Sequence, residues 1–464
     1  MISLFKINDP FRIVILLGLL LVCALPQIII GIPALQPTLY HALLGEALQG
    51  GNTLYADVYD NTPPLAAGIY WIIHSLFGRS VVALQLISIL LIAFQALLFG
   101  LLMNKKEVFD EKNYLTALFY GIFMLLSFDF LTLPPVLMAQ TFLLLMLRNL
   151  FRMNETSSEQ DVFMTAVYLG IASLFYLPCF VFLLVALIGS ILFSSFTPRH
   201  LLLIIYGFIL TIAVALTYFF YFGTVESIVE QLITLEIPMR VYASVEELWW
   251  IMLIPSIFLI ASFFKIFRDG RFIVYQSNTQ LLMLFWLLAA FVTLFVTNEF
   301  AVYQLILFVP PLGFFMTHFI LLTRRAILAE VYVWLLLVAL IFVNYNSLYG
   351  IFSKLRMVSY KEIKLVTKEN FRLANKKVLV LGDEIAYYQN NYCTVPFLNW
   401  QLSRQDFDNL NRYDALVRIA SALSKNYPDV VVASPSLMKT LQQRIPLLRD
   451  EYFLQQEEGI FLRK

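Results

Sequence analysis

Three aspartates in two short loops have side chains that could act on a hydroxyl group. Asp57 and Asp60 lie three residues apart in the segment NTLYADVYDNTPPL, and Asp129 lies in the segment FDFLTLPPV. A carboxylate at the rim of a membrane cavity can act as a general base for an acceptor hydroxyl or as a ligand for a divalent cation. The alternative for Asp57 and Asp60 is a turn in which each side chain bonds its own backbone, and the alternative for Asp129 is a helix N-cap. We take all three as candidate catalytic residues.

A second set of polar residues has the chemistry to bind a substrate. Glu299, Tyr303 and Gln304 stand together in NEFAVYQLILFVPP, and Arg240 and Tyr242 stand in the loop 224–247. The same loop carries an acidic set whose alternative is a solvated surface: Glu226, Glu230, Glu236, Glu246 and Glu247.

The composition places these residues in a membrane protein. Of the 464 residues, 60% are hydrophobic and 14% are charged, and the mean hydropathy is +0.78, whereas soluble domains have about 45–50% and about 25%. The net charge is +1, so the polybasic signature of nucleic-acid binding is missing. Neither the four histidines nor the three cysteines have metal-ligand or disulfide spacing. The partner is therefore lipid, or a molecule delivered in lipid.

Eleven apolar stretches are long enough to cross about 30 Å of hydrocarbon. They begin near residues 11, 81, 114, 132, 162, 179, 201, 248, 278, 301 and 327. The apolar segment 64–77 is shorter and contains His74, so we expect it to be a re-entrant or surface helix. The region 33–80 is thus a first outer loop that includes amphipathic helices, one of them ending at Gly50-Gly51.

Lysine and arginine predict the orientation, since loops rich in these residues stay in the cytoplasm. With the N-terminus in the cytoplasm, thirteen of them fall in cytoplasmic stretches, and only Arg79 and Arg240 fall in opposite loops before residue 346. An odd number of spans then places the C-terminus outside the cytoplasm. We predict a multi-pass protein of the plasma (inner) membrane whose candidate site residues face one outer cavity.

The composition changes near residue 346, after which 17 of the 32 basic residues are found. Apolar runs at 377–381, 429–433 and 459–463 predict strands, and 412–425 predicts an amphipathic helix. We therefore divide the chain into a membrane domain, 1–345, and an extracytoplasmic domain, 346–464. The predicted fold class is an all-α polytopic membrane protein, with about eleven transmembrane helices, that carries a small C-terminal α/β domain.

Several segments resemble a known family. An amphipathic outer helix that ends in Gly-Gly and is followed by LYADVYDNTPPLAAGIYWIIHSLFGRS resembles the first outer loop of GT-C glycosyltransferases. These polyprenyl-phosphate-sugar-dependent enzymes include protein O-mannosyltransferases and lipid A aminoarabinose transferases. The turn FDFLTLPPVLMAQTFLLL, the segment EFAVYQLILFVPPLGFF and the C-terminal α/β domain are similar too.

The resemblance implies a function and a GT-C-like fold for the membrane domain. A sugar would pass from a polyprenyl-phosphate donor in the outer leaflet to an acceptor hydroxyl activated by a loop carboxylate. Divalent cations, Mg²⁺ or Mn²⁺, would stabilise the leaving phosphate. Glu46 in the outer helix joins the candidate substrate-binding residues. Under this hypothesis Arg240 is a partner for the donor phosphate, because a guanidinium group forms paired hydrogen bonds with phosphate oxygens.

Two positions differ from the family pattern. The acidic residue that commonly begins the outer helix is replaced by the run Gln36-Pro37-Thr38, and the basic residue before the Pro-Pro pair is replaced by Thr62. These differences define an alternative function, a catalytically inactive GT-C-like scaffold that acts as a subunit of a membrane complex or binds lipid. A transporter is a third hypothesis, disfavoured because the spans hold almost no ionisable residues.

Overall fold

The computed structural model describes all of the chain except residues 1, 7–8, 10, 31–34, 106–107, 157, 195–196, 229–230, 232–239, 298, 352–364, 366–374, 395, 455–458 and 464. The chain forms two compact units. Unit 1 consists of residues 1–32, 81–217 and 239–361, and unit 2 consists of residues 33–80, 218–238 and 362–464. The predicted division at residue 345 follows the sequence rather than this packing, and it stays a prediction.

The first 349 residues are mostly helical, and many of the helices begin close to the predicted apolar runs. In chain order, α1 to α15 are Ile2–Lys6, Arg12–Ile30, Gln36–Gln49, Pro64–Phe77, Val81–Met103, Leu115–Phe123, Pro135–Thr156, Glu159–Phe175, Leu183–Phe193, Pro198–Tyr221, Val225–Ile228, Val245–Asp269, Val274–Thr293, Val309–Leu321 and Ala326–Tyr349. Three 3₁₀ turns, Phe128–Thr132, Leu177–Phe182 and Val302–Phe308, continue this helical path. A helix or 3₁₀ turn begins within a few residues of each predicted span.

Six helical segments of the described residues are long and apolar enough to cross a membrane. They are Val81–Met103, Pro135–Glu155, Pro198–Tyr221, Val245–Asp269, Val302–Leu321 and Ala326–Tyr349, and shorter apolar helices lie at Val14–Ile29, Pro64–Phe77 and Leu177–Phe193. These candidate spans agree with the predicted multi-pass membrane protein. The total of eleven crossings stays a prediction, because several predicted spans form helices that are short or interrupted by turns.

The core of unit 1 is formed by α6 and α14, whose side chains are buried on almost every side. Small residues allow the close approach of these helices. A Cβ atom on Gly313 of α14 would lie 3.3 Å from the Tyr120 backbone nitrogen of α6, and one on Gly100 of α5 would lie 2.7 Å from the Ala117 Cβ. Such glycine contacts are typical of helix interfaces in membranes, where van der Waals packing drives association.

Unit 2 contains a five-stranded sheet. After the two-residue strands β1 (Arg240–Val241) and β2 (Glu299–Phe300) of unit 1, strands β3 to β7 are Lys377–Leu381, Tyr392–Cys393, Val430–Ala433, Tyr452–Leu454 and Ile460–Arg463. Their order is β4-β3-β5-β7-β6, with β3 parallel to β4 and β5, and with β7 antiparallel to β5 and β6. The three predicted strands are confirmed, and the small C-terminal sheet agrees with the predicted fold class.

Four helices accompany this sheet: α16 (Trp400–Asp408), α17 (Tyr413–Lys425), α18 (Pro435–Arg444) and α19 (Pro446–Glu451). The buried face of α17 contributes Ile419 and Leu423 to a core that also contains Leu379 of β3 and Val431 of β5. Because apolar residues recur at helical spacing in 412–425, the sequence predicted this helix correctly.

The first-loop helices α3 and α4 also belong to unit 2 and pack against each other. Gly45 of α3 makes this possible, since a Cβ there would lie 2.5 Å from the Tyr70 carbonyl oxygen of α4. The rings of His41 and Tyr70 stack nearby with centroids 4.5 Å apart. Gly50-Gly51 follow the end of α3, as predicted, and Gly51 has a positive φ of 84°, a conformation that favours glycine.

Candidate functional site

A buried ion pair in unit 1 joins two of the predicted substrate-binding residues. The pairing of β1 with β2 places Arg240 opposite Glu299, and Arg240 Nη1 lies 3.6 Å from Glu299 Oε1. The Tyr303 hydroxyl donates to Glu299 Oε2 over 2.7 Å, and Arg240 Nη1 donates to the Tyr242 hydroxyl over 3.3 Å. The Arg240 side chain is only 8% exposed, whereas the Glu299 side chain is 24% exposed. The carboxylate is thus the more accessible partner.

Gln304 forms further hydrogen bonds with the segment that carries Glu299. Its Nε2 donates to the Tyr176 hydroxyl and to Thr297 Oγ1, both over 3.0 Å, and also to the Glu299 carbonyl oxygen. The Tyr176 hydroxyl lies 3.3 Å from Thr297 Oγ1. These bonds fix the backbone that carries Glu299 and Tyr303. We name the seven residues the polar network: Tyr176, Arg240, Tyr242, Thr297, Glu299, Tyr303 and Gln304.

Asp129 lies on a 3₁₀ turn that packs against the turn Val302–Phe308 of the polar network. The cap of its turn is Ser127, whose Oγ accepts a hydrogen bond from the Asp129 backbone nitrogen over 3.3 Å. Asp129 itself is 5% exposed. The turn ends at Leu133, which has a positive φ of 55°, and residues other than glycine rarely adopt this conformation. Such strained positions often occur at functional sites.

Asp57 and Asp60 lie in unit 2, and both bond within their own loop. Asp57 Oδ2 accepts hydrogen bonds from the Thr53 nitrogen over 3.0 Å and from the Thr53 hydroxyl over 2.5 Å. Partial burial acts to raise the pKa of Asp57, but these bonds, with the charge of Lys425, lower it below the ordinary value. Asp60 Oδ1 accepts from the Thr62 nitrogen over 2.9 Å and from its hydroxyl over 3.0 Å. Hydrogen bonds of this kind, between an aspartate and a residue nearby in the sequence, are typical of turns.

The loop around Asp60 is also held by a residue distant in sequence. Gln231 accepts a hydrogen bond from the Asp60 nitrogen over 3.1 Å and donates to the Tyr55 carbonyl oxygen over 2.7 Å. The Tyr55 hydroxyl donates to the Thr62 carbonyl oxygen over 2.7 Å. Burial, and then the negative charge of Asp60, raise the pKa of Tyr55 well above its usual range. The loop is therefore a rigid part of unit 2.

Glu46 pairs with Arg79, and Arg79 connects the first outer loop to the sheet of unit 2. Arg79 Nε bonds Glu46 Oε2, while its Nη1 and Nη2 donate to the carbonyl oxygens of Tyr388 and Asn391 over 2.7 and 2.8 Å. One guanidinium group thus joins α3 to the segment between β3 and β4. The contacts of Glu46 indicate a role in holding unit 2 together.

The nine predicted site residues are distributed over both units. Arg240, Tyr242, Glu299, Tyr303 and Gln304 form the polar network with two residues that the sequence did not single out, Tyr176 and Thr297. Asp129 lies on an adjacent turn, while Asp57, Asp60 and Glu46 belong to unit 2. A single cavity that contains all nine residues stays a prediction.

A metal site is not evident in the described residues, since they include no group of three or more His, Cys, Asp or Glu side chains placed to hold an ion. Glu230 and Glu236 of the acidic loop lie outside the described residues. The expected requirement for Mg²⁺ or Mn²⁺ stays a prediction.

The fold of the chain is similar to that of a solved membrane glycosyltransferase. The chain is similar over 97% of its length, and over 97% of the other chain, to the crystal structure of ArnT from Cupriavidus metallidurans bound to undecaprenyl phosphate. The TM-score is 0.52 and the sequence identity is 12%, so the likeness shows the fold alone. No protein-family model and no curated protein sequence matches the chain. The predicted GT-C fold is thus supported, while the subfamily stays a prediction.

Proposed function

We propose that this chain is an integral membrane glycosyltransferase that moves a sugar from a polyprenyl-phosphate donor to an acceptor on the extracytoplasmic side. The observation that carries the proposal is a GT-C fold over almost the whole chain with a buried arginine–carboxylate pair at one end of its core segment Val302–Leu321. ArnT, which shares this fold, was crystallised with undecaprenyl phosphate. A lipid-linked phosphate of the same kind is the donor that we assign to this chain.

The polar network supplies a positive charge that can stabilise the departing phosphate. When the anomeric carbon–oxygen bond breaks, the bonding electrons pass to the phosphate oxygen, and the phosphate gains negative charge. The Arg240 guanidinium, with five N–H donors, stabilises that charge by charge-assisted hydrogen bonds. Glu299 and Tyr303 hold the guanidinium in place before the donor binds. The phosphate contact is thus supplied by Arg240, in a chain where Thr62 stands before the Pro-Pro pair.

Asp129 is the carboxylate that we assign as the general base. It accepts the proton of the acceptor hydroxyl as the acceptor oxygen bonds the anomeric carbon. We prefer Asp129 to Asp57 and Asp60 because its turn packs against the turn Val302–Phe308 of the polar network, whereas Asp57 and Asp60 lie in unit 2. A requirement for Mg²⁺ or Mn²⁺ stays a prediction that sugar transfer in the presence of a chelator tests.

The test compares Asp129→Asn with Asp57→Asn in membranes that contain equal amounts of each protein. We expect Asp129→Asn to lower sugar transfer by at least about 100-fold, the usual contribution of a general base, and Asp57→Asn to retain most of it. Asp60→Asn is a third arm, in which lost expression would indicate a folding role. The assignment of Asp129 as the general base would be wrong if Asp129→Asn kept full sugar transfer. It would also be wrong if a stably expressed Asp57→Asn lost sugar transfer.

A non-catalytic scaffold is the second candidate function, and one observation favours it. Glu46, Asp57 and Asp60 are all engaged in contacts within unit 2, as expected if the first outer loop has only a structural role. This candidate predicts that the protein co-purifies with another membrane subunit. It also predicts that deleting the protein leaves every glycan and glycolipid of the cell unchanged.

A further inference from the structure

A groove on the membrane domain shares no residue with the candidate site. Its walls are faces of α12 and α15, its floor includes Phe319 of α14, and its volume is about 950 Å³. The lining is apolar over most of its length, with Ile254, Ile257 and Ala261 among the residues of the α12 wall. The charged side chains that line it, Lys265 and Arg268, lie one turn apart at one end. The groove is therefore apolar with a cationic end.

The length of the groove matches one leaflet of a bilayer. Between Ile254 and Lys265, α12 rises about 16 Å at 1.5 Å per residue. Half of a hydrocarbon core about 30 Å thick is nearly the same distance. A ligand that fills this space has an apolar chain as long as one leaflet is deep and an anionic group at one end. A phospholipid has this form.

Lys265 has neutral hydrogen-bond partners at the end of the groove. Its Nζ donates to the Phe319 carbonyl oxygen over 3.2 Å and to the Thr323 hydroxyl, and it lies 3.9 Å from the centre of the Phe319 ring. All of these partners are uncharged, and no carboxylate in the described part of the chain forms an ion pair with Lys265. The Arg268 guanidinium, by contrast, is paired with Asp269 at 2.9 Å.

We propose that this groove binds an anionic phospholipid, with an acyl chain between α12 and α15 and the phosphate at Lys265. An ammonium group has three N–H donors, of which the two neutral acceptors use two, so the third is available to a phosphate oxygen. A cation near hydrocarbon is costly without a partner, and the lipid supplies that partner. Basic pockets between transmembrane helices are recognised sites for anionic lipid head groups.

Native mass spectrometry of the purified full-length protein tests the proposal. The probes are phosphatidylglycerol and phosphatidylcholine with identical acyl chains, added in steps to delipidated protein. We expect the wild type to bind the first phosphatidylglycerol about five- to tenfold more tightly than phosphatidylcholine, from an electrostatic contribution of about 1 kcal/mol or somewhat more. Lys265→Met should reduce this preference to near unity, and Lys265→Arg should retain it.

Two further variants distinguish lipid binding in the groove from lipid binding elsewhere on the protein surface. Ala261→Trp fills the groove while Lys265 stays in place, so it should remove the tight binding of phosphatidylglycerol even if Lys265→Met proves unstable. Arg199→Gln is the matched control, because Arg199 is another basic residue beside an apolar surface but is paired with Glu159 at 2.8 Å. Equal binding of the two lipids by the wild type, or an unchanged preference in Ala261→Trp, would overturn the proposal.

Discussion

Arg240 keeps its charge on a side chain that is almost fully buried. An unpaired charge in this environment is costly, and Glu299 offsets the cost from 3.6 Å away. Tyr303 bonds the other carboxylate oxygen, so the pair has one fixed geometry before any ligand arrives. A donor phosphate can then approach Arg240 without first having to order it.

Replacing Glu299 tests this interdependence. Glu299→Gln leaves the Arg240 cation without its counter-charge, and we expect a loss of about 1–3 kcal/mol in stability, less than for a fully buried pair because Glu299 is partly exposed. The double variant Arg240→Gln/Glu299→Gln should recover much of that loss but no sugar transfer. Thermal unfolding in detergent measures the first effect and a transfer assay the second. The single variant Arg240→Gln completes the comparison. If the double variant lost as much stability as the two single variants together, the pair would not act as a unit.

At the residue scale, the sequence predicted the polar network only in part. Arg240, Glu299 and Tyr303 were found because charged or polar groups beside long apolar runs are conspicuous. Tyr176 and Thr297 were missed, since one tyrosine among 24 carries no distinguishing pattern and the bonds to Gln304 join segments distant in sequence. The turn role of Asp57 was foreseen as the alternative, because aspartate in turns bonds its own backbone.

At the scale of elements, the contact between α3 and α4 depends on one glycine. Any side chain at Gly45 would meet the Tyr70 carbonyl oxygen at 2.5 Å, whereas a Cβ at Gly68 of α4 has nothing within 4 Å. Gly45→Ala should therefore lower the free energy of unfolding by about 1–3 kcal/mol, as overpacking does. Gly68→Ala should be neutral or stabilise the protein by up to about 1 kcal/mol. Thermal unfolding midpoints of both variants in detergent measure the difference.

That pair of variants also tests the close packing itself. If Gly45→Ala and Gly68→Ala had equal midpoints, the two helices would not be in contact at Gly45.

The starts of the helices were predictable, since continuous apolar runs define them. The short helix α6 was not, because Leu115–Phe123 lies within an apolar stretch that contains no polar residue to mark its end.

At the scale of the whole molecule, no pattern in the sequence indicated that the first outer loop and the C-terminal residues form one packed unit. The Tyr59 nitrogen donates to the Pro396 carbonyl oxygen over 2.9 Å, and Arg79 bonds carbonyl groups more than 300 residues away. Backbone contacts of this kind leave no pattern in residue type. The membrane domain was more predictable, because apolar length alone identifies candidate spans.

The predicted orientation makes a direct claim about the C-terminus and about the loop that follows α5. Because basic residues are retained in the cytoplasm, a reporter fused after Lys464 should be active only outside the cytoplasm, and a reporter inserted after Met103 only inside it. Paired alkaline phosphatase and fluorescent protein fusions measure this. A cytoplasmic C-terminus would place an even number of spans before it and would contradict the outer cavity.

We propose that Arg240 serves sugar transfer from a polyprenyl phosphate. Mass spectrometry of all glycolipids and surface glycans, from deletion cells complemented with wild type or with Arg240→Gln, tests it most directly. We expect at least one sugar modification to disappear on deletion, to return with the wild type, and to stay absent with Arg240→Gln present at normal level in the membrane. A glycan profile that is identical in wild-type and deletion cells would contradict the account.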